Sequence, residues 1–213
     1  MVNLPEPTRK RLVSLWQLLS QKTQDQSFQA KENIITSREI STITGWTDAT
    51  IRRDISTLGI KCKSSNGYDI NKLQQEIQSA LFPITTQEKI KCCIVGLDPI
   101  GAAFIEYSGF EKTGFLLVAG FDERINRVET LNAPFPLYPA SKLEQIIQME
   151  KIFYGILSVP EEKANFYVSR LVEVGIKGIV NCTSAVLTVP ANVAVENISV
   201  TVALQNLLAK DLA

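Results

Sequence analysis

Four uninterrupted apolar runs of strand length, IKCCIV, GFLLVAGF, IFYGILSV and KGIVN, follow one another from residue 89, separated by stretches of helical character. A strand that is apolar at every position must be covered on both faces. Strands covered in this way alternate with helices when they lie parallel, in a doubly wound α/β layer. The pattern therefore predicts an α/β domain with a parallel sheet over residues 84–198. Ser141 followed by Glu144 reads as a capping box for one intervening helix. Pro160, Glu161 and Glu162 open another, which stops at Gly175.

The first 83 residues follow a different period. Leu12, Leu15, Trp16 and Leu19 recur at i, i+3, i+4 and i+7, which predicts a helix from Thr8 to Lys22. Thr36 and Glu39 form a capping box for a short helix with Ile40 and Ile43 inward. Thr47 or Asp48 caps the next helix, whose stripe is Ile51, Ile55 and Leu58 and whose stop is Gly59. Two short helices around a glycine-containing turn are the helix-turn-helix pattern. Ser65, Asn66 and Gly67 then mark a hairpin turn, as in a wing. Asp69 caps a helix carrying Ile70, Leu73, Ile77 and Leu81, and Pro83 closes this α+β domain.

A length of 213 residues suits two small domains, and a hydrophobic content of 45% suffices for two cores. No apolar run reaches the roughly 18–20 residues that span a bilayer, and MVNLPEPTRKR lacks the apolar centre of a signal peptide. A cytoplasmic location without membrane attachment is the expectation. Cys62, Cys92, Cys93 and Cys182 form no CxxC pair and the chain has no histidine, so no metal site is expected. The net charge is zero overall but +3 over residues 1–82 and −3 over 83–213, the asymmetry of a DNA reader joined to another module.

On the second helix of the helix-turn-helix, the inward stripe leaves Thr47, Ala49, Thr50, Arg52 and Arg53 for a DNA-facing surface. Residues near the start of such a helix enter the major groove, where arginine binds guanine or phosphate and threonine meets a thymine methyl or a phosphate. Lys61 and Lys63 of the wing add phosphate contacts. Because a single short reader binds weakly, symmetric dimers supply two half-sites. The apolar C-terminal segment from Ser199 to Asp211, with Val200, Leu204, Leu207 and Leu208, is the candidate dimerising helix.

The first strand of the α/β domain ends in IVGLDPIG, at the place of the dinucleotide fingerprint GxGxxG. Gly96 and Gly101 keep the outer glycines, with Leu97, Asp98, Pro99 and Ile100 between them. Asp122 stands 21 residues after Gly101, at the position of the carboxylate that holds a ribose. Asp98 replaces the middle glycine. A carboxylate about 4 Å from a phosphate charge is repelled by roughly 4 kcal/mol at an effective dielectric near 20, before screening. Pro99 removes one amide from the loop, and Asp98 is placed to fill the vacancy as a helix cap. On this reading Asp98→Gly strengthens dinucleotide binding.

Taken in order, RKRLVSLWQLL, TSREISTITGWTDATIRRDIS, NGYDI, EYSGF, GFDE, SVPEEKA, VEVGIKGIVN and VPANVAVENISVTVALQ resemble the Rex family of redox-sensing transcriptional repressors over nearly the whole chain. The resemblance implies a Rossmann-type domain that binds NAD(H), operator DNA as partner, and a homodimer whose C-terminal helix, 199–213, is domain-swapped. It implies that NADH releases DNA while NAD+ permits binding. Arg52, Arg53 and Lys63 fall on the family's DNA-contacting motif. Gly96, Gly101 and Asp122 fall on its cofactor motif, with Glu123, Val159 and Pro160 in the flanking segments and Asn181 beside the nicotinamide. Arg11 and Tyr107 match positions that communicate between domains, and Ser199, Leu204 and Leu208 belong to the dimer contact. Departures cluster in the sensor: Asp98 and Pro99 in the loop, Cys182, Thr183 and Ser184 after Asn181, and Ser199 where the family has an aspartate. In the wing, Lys63 is followed by Ser64 and Ser65 instead of an arginine and a glycine.

Three other readings compete with a redox-responsive repressor: a dimeric regulator that has weakened or lost NADH sensing, an NAD-dependent oxidoreductase, and a thiol sensor acting through Cys182. Hydride transfer from an alcohol calls for a general base, most often histidine, and the chain has none. No catalytic residue is assigned.

Overall fold

A computed structural model of the chain describes residues 4–24, 33–60, 67–82, 89–110 and 114–211. It divides into two compact units, 1–86 and 87–213. In the first, α1 (Glu6–Gln24), α2 (Ser37–Thr44), α3 (Asp48–Thr57) and α4 (Ile70–Leu81) surround one core, and β1 (Ile34–Ile35) pairs antiparallel with β2 (Tyr68–Asp69). The stripes read from the sequence meet there: Leu12, Leu15 and Leu19 of α1 pack with Ile40, Ile51, Ile55, Ile70, Leu73 and Ile77. Ile43 does not join them. It is 49% exposed, because α2 lasts only two turns and buries Ile40 alone.

The expected caps set the helix starts. The Thr36 hydroxyl accepts from the Glu39 amide and the Glu39 carboxylate accepts from the Thr36 amide, a reciprocal capping box. Gly45 ends α2 at φ +73°, a conformation that favours glycine. Thr47 is the cap of α3 and Asp69 the cap of α4. Lys61, Cys62, Lys63, Ser64, Ser65, Asn66 and Pro83 lie outside the described residues, and with them most of the expected wing turn.

The second unit carries a six-stranded parallel sheet in the order β5-β4-β3-β6-β7-β8. Its strands are β3 (Ile90–Val95), β4 (Phe115–Asp122), β5 (Leu137–Pro139), β6 (Tyr154–Leu157), β7 (Gly178–Asn181) and β8 (Ala194–Asn197). Counted from the first strand of this unit the order is 3-2-1-4-5-6, that of the Rossmann fold, with the switch point between β3 and β6. Both faces are covered. Cys93 and Val95 point to a core built with α7 (Leu143–Glu150) and α8 (Glu161–Glu173), while Cys92 and Ile94 point to the opposite core with Leu97, Ile105 and Phe104. Burial pushes the Cys92 thiol up to about 11, so both cysteines of the pair behave as small apolar side chains.

The local structure departs from the sequence pattern at three points. The helix after the glycine loop is only α5 (Pro99–Ala103). The chain then turns into a 3-10 segment, Ser108–Phe110, where Gly109 crosses the Tyr107 ring so closely that a Cβ would overlap it. Ser141 and Glu144 form no capping box. A 3-10 turn, Ala140–Lys142, leads directly into α7, and Glu144 instead takes a two-pronged ion pair from Arg170 of α8, at 2.5 and 2.7 Å. Two strands escape the sequence pattern, β5 and β8, which are short edge strands without an apolar run. α6 (Ile125–Thr130) follows β4, and α9 (Val200–Asp211) ends the fold with every described side chain exposed.

Candidate functional site

α3 is fixed on its inner side and open on the other. Ile51 and Ile55 are buried, and between them in the same stripe lies Asp54, only 5% exposed. Its carboxylate receives the Arg11 guanidinium at 2.5 and 2.9 Å and the Thr8 hydroxyl at 3.0 Å. This fork, reinforced by the hydrogen bond to Asp54, raises the Arg11 pKa further and ties α3 to α1. Arg11, assigned from the resemblance to interdomain communication, is thus engaged within its own unit. Sequence reasoning missed Asp54. The signal was an acidic residue at the i+3 position of an apolar stripe, which demands a buried counter-ion.

The outer side of α3 holds the candidate DNA contacts. Thr47 and Thr50 hydroxyls bond each other at 2.9 Å at the helix start, and Ala49 is exposed beside them. Arg52 lies back along its own helix, donating to the Asp48 carbonyl at 3.3 Å with its guanidinium 3.8 Å from the Asp48 carboxylate. Arg53 is exposed one position on.

In the second unit, the loops after β3, β4 and β6 enclose a cavity of about 240 Å3 at the carboxyl ends of the strands, beside the switch point. Gly96, Asp98, Asp122, Arg124, Val159 and Tyr167 are among its lining, with Glu123, Pro160 and Lys163. Gly96 has φ +93°, and a Cβ there would overlap the Ser158 carbonyl oxygen. A Cβ on Gly101 would overlap the Gly96 carbonyl oxygen in the same way. Both outer glycines are therefore required, one for the tight turn and one for close packing of α5 on the loop. Leu97 is buried beneath the loop, Pro99 is the first residue of α5, and Ile100 points outward.

Asp98 occupies the cap position of α5, but its side chain bonds no backbone amide. It reaches Arg124 instead, Oδ1 to Nη2 at 2.6 Å. Arg124 also grips Asp122 through its backbone amide at 2.8 Å, its Nε at 3.2 Å and its Nη2 at 3.3 Å. The Leu97 amide donates to the other Asp122 oxygen at 2.8 Å. Burial pushes the Asp122 carboxyl up, but the Arg124 and Leu97 hydrogen bonds outweigh it and hold the pKa below the ordinary value. The unpaired negative charge expected at the middle loop position is therefore a paired one. Glu123 turns away to Lys163 and to the Tyr167 hydroxyl, which donates at 2.8 Å.

Three assigned residues serve local structure. Asn181 is 1% exposed; its amide donates to the Ala185 carbonyl and Asn197, and its oxygen accepts from the Thr183 amide and hydroxyl. Ser199 caps α9, accepting from the Val202 amide at 3.3 Å. Tyr107 stacks edge-on with Phe104 and Phe110 at an exposed corner. Cys182 packs against the core on the Cys92 side, where burial raises its thiol pKa and so lowers its thiolate fraction. Among the described residues no cluster of three or more histidine, cysteine or acidic side chains is placed to hold a metal, and no helix is long and apolar enough to cross a membrane.

Known proteins match both units. Residues 3–56 match the family described as "Putative DNA-binding protein N-terminus", and residues 87–185 the family described as "CoA binding domain". The redox-sensing transcriptional repressor Rex of Exiguobacterium sp. is 33% identical over 96% of this chain and 90% of its own length. That of Limosilactobacillus reuteri is 31% identical over 96% and 92%. Among solved structures, the Rex-family repressor RSP in complex with β-NAD+ and operator DNA superposes with a TM-score of 0.84 at 27% identity, covering 99% of this chain and 93% of that one. RSP with β-NADH gives 0.80 at 26% identity, with both chains fully covered. An N-terminal reader, a Rossmann sheet with its glycine loop, and similarity at this level along almost the entire length lead to one assignment: the chain belongs to the Rex family of redox-sensing transcriptional repressors.

Proposed function

We propose that this chain is a homodimeric repressor that binds operator DNA through α3 and is controlled by the NADH/NAD+ ratio at the cavity beside Gly96. The observation that carries this reading is the joining of a capped, outward-facing reader helix and a glycine loop with Asp122 at the switch point. RSP, similar over its whole length, has been solved with β-NAD+ and operator DNA and with β-NADH. Residues 1–83 serve as reader, 84–198 as sensor and 199–213 as the helix exchanged between protomers.

The cavity fits the dinucleotide at its adenosine end. The two outer glycines bring bare backbone to the loop, and Asp122 stands at the strand end where a ribose diol is bound. Val159 and Pro160 also line the cavity. When bound, the cofactor supplies a nicotinamide ring that is positively charged when oxidised and neutral when reduced. The protein supplies no turnover: the relatives are repressors, and the chain has no histidine to serve as a base. It acts in the cytoplasm.

On DNA, Arg53 reaches outward while Arg52 is restrained by Asp48. Arg53→Ala is expected to weaken operator binding by about 1–3 kcal/mol, roughly fivefold to 150-fold, measured by fluorescence anisotropy. Calorimetric titration of the intact protein tests the sensor. One NADH per chain, with no NADH oxidation across alcohol and aldehyde panels, supports the reading; absence of binding at millimolar NADH contradicts it.

A further inference from the structure

We propose that Arg124 is a built-in competitor for the ribose hydroxyls, holding the Asp122 carboxylate closed until a nucleotide displaces it, with Asp98 as its second anchor. The proposal rests on the dinucleotide reading above and concerns how that site is regulated.

A carboxylate offers about four lone-pair positions. In Asp122 all four are taken: Oδ1 by the Arg124 amide and Nε, Oδ2 by the Leu97 amide and Arg124 Nη2. The two backbone amides belong to the fold and take one position on each oxygen. The other two bonds come from the Arg124 side chain, which is 54% exposed and therefore free to swing out. A diol that binds Asp122 must replace the guanidinium.

Asp98 determines how firmly the competitor is held. At 2.6 Å from Nη2 it makes the shortest of the Arg124 contacts, and it sits in the loop position that a dinucleotide fingerprint reserves for glycine. Asp98 and Arg124 thus act together. Asp98 keeps Arg124 over Asp122 before a nucleotide binds, and it gives Arg124 a partner to retain once Asp122 is surrendered. Apparent affinity for the nucleotide is lowered by the free energy of that exchange, so the sensor responds at a higher ligand concentration than an open carboxylate would.

The alternative role for an exposed arginine at this corner is a phosphate clamp, and the two roles predict opposite signs. The test compares NADH dissociation constants, by calorimetry on the full chain, for the wild type, Asp98→Asn, and Asp98→Asn combined with Arg124→Ala. The Asp98→Asn background removes the loop charge, so loss of Arg124 does not expose the phosphates to an unpaired carboxylate. The competitor predicts that the double variant binds NADH more tightly than Asp98→Asn, by about three- to tenfold for partly exposed charged hydrogen bonds. Equal or weaker binding by the double variant, while Asp98→Asn still binds, overturns the proposal and leaves the dinucleotide reading intact. No NADH binding by any of the three removes that reading and the competitor with it. Titration of adenosine, which carries no phosphate, gives a second readout: Arg124→Ala alone must bind it more tightly than the wild type, and failure to do so also counts against the competitor.

Discussion

Removal of residues 200–213 is expected to leave a monomer and to weaken operator binding by at least a hundredfold. Among the described residues, no apolar side chain of α9 is buried. Val200, Leu204, Leu207 and Leu208 are each more than half exposed, although these are the residues that would normally drive a helix into a core. Isolated helices of fewer than about 12–15 residues are marginal in water, so a 12-residue helix with an open apolar surface implies a covering partner. A second copy of the chain fits, because a short reader helix needs two half-sites to hold an operator. Joining two readers makes the second contact intramolecular, commonly a gain of about 10²–10⁴ in avidity, and truncation forfeits it. Sedimentation and anisotropy measure the two halves of this expectation. A truncated protein that stays dimeric at micromolar concentration assigns dimerisation to another surface.

The second large effect lies in the pair that positions the reader. Arg11→Ala leaves the buried Asp54 carboxylate with one hydroxyl partner, and stranding a buried charge costs about 3 kcal/mol. For a unit of this size that corresponds to a fall of roughly 10 °C or more in Tm, read by calorimetry or circular dichroism. Much of the loss should return in Arg11→Ala combined with Asp54→Asn, which removes the stranded charge. The resemblance places Arg11 in interdomain communication, and that role makes a different prediction: unchanged stability with an altered response to NADH. The observed fork at 2.5 and 2.9 Å favours the structural outcome.

Local chemistry was readable in the sequence wherever it was governed by neighbours in the chain. Thr36 with Glu39, Asp69 before Ile70, and the stripes of α1, α3 and α4 depend on residues three or four apart, and the structure forms them as read. The strands with continuous apolar runs occupy the centre of the sheet because only central strands are covered on both faces. β5 and β8 stayed hidden because an edge strand needs no such run.

What remained illegible was pairing at a distance. Glu144 carries the local signature of a cap, yet Arg170, 26 residues away, offers a stronger charge-assisted bond and takes it. Asp98 looked like an unpaired charge facing a phosphate for the same reason, since nothing near it in sequence announces Arg124. The roughly 4 kcal/mol repulsion attached to a bare carboxylate does not apply in full to one already paired with a guanidinium. Asn181 is tied both within the 181–185 turn and to Asn197, 16 residues away.

Control of DNA binding by a dinucleotide requires the ligand to favour one state over the other, and a tenfold change in operator affinity corresponds to about 1.4 kcal/mol of such preference. The most direct test is the operator dissociation constant measured by anisotropy at fixed salt, with saturating NADH and then with saturating NAD+. Operator binding is predicted to be at least tenfold weaker with NADH and undiminished with NAD+. The same dissociation constant in both solutions would contradict control by the dinucleotide.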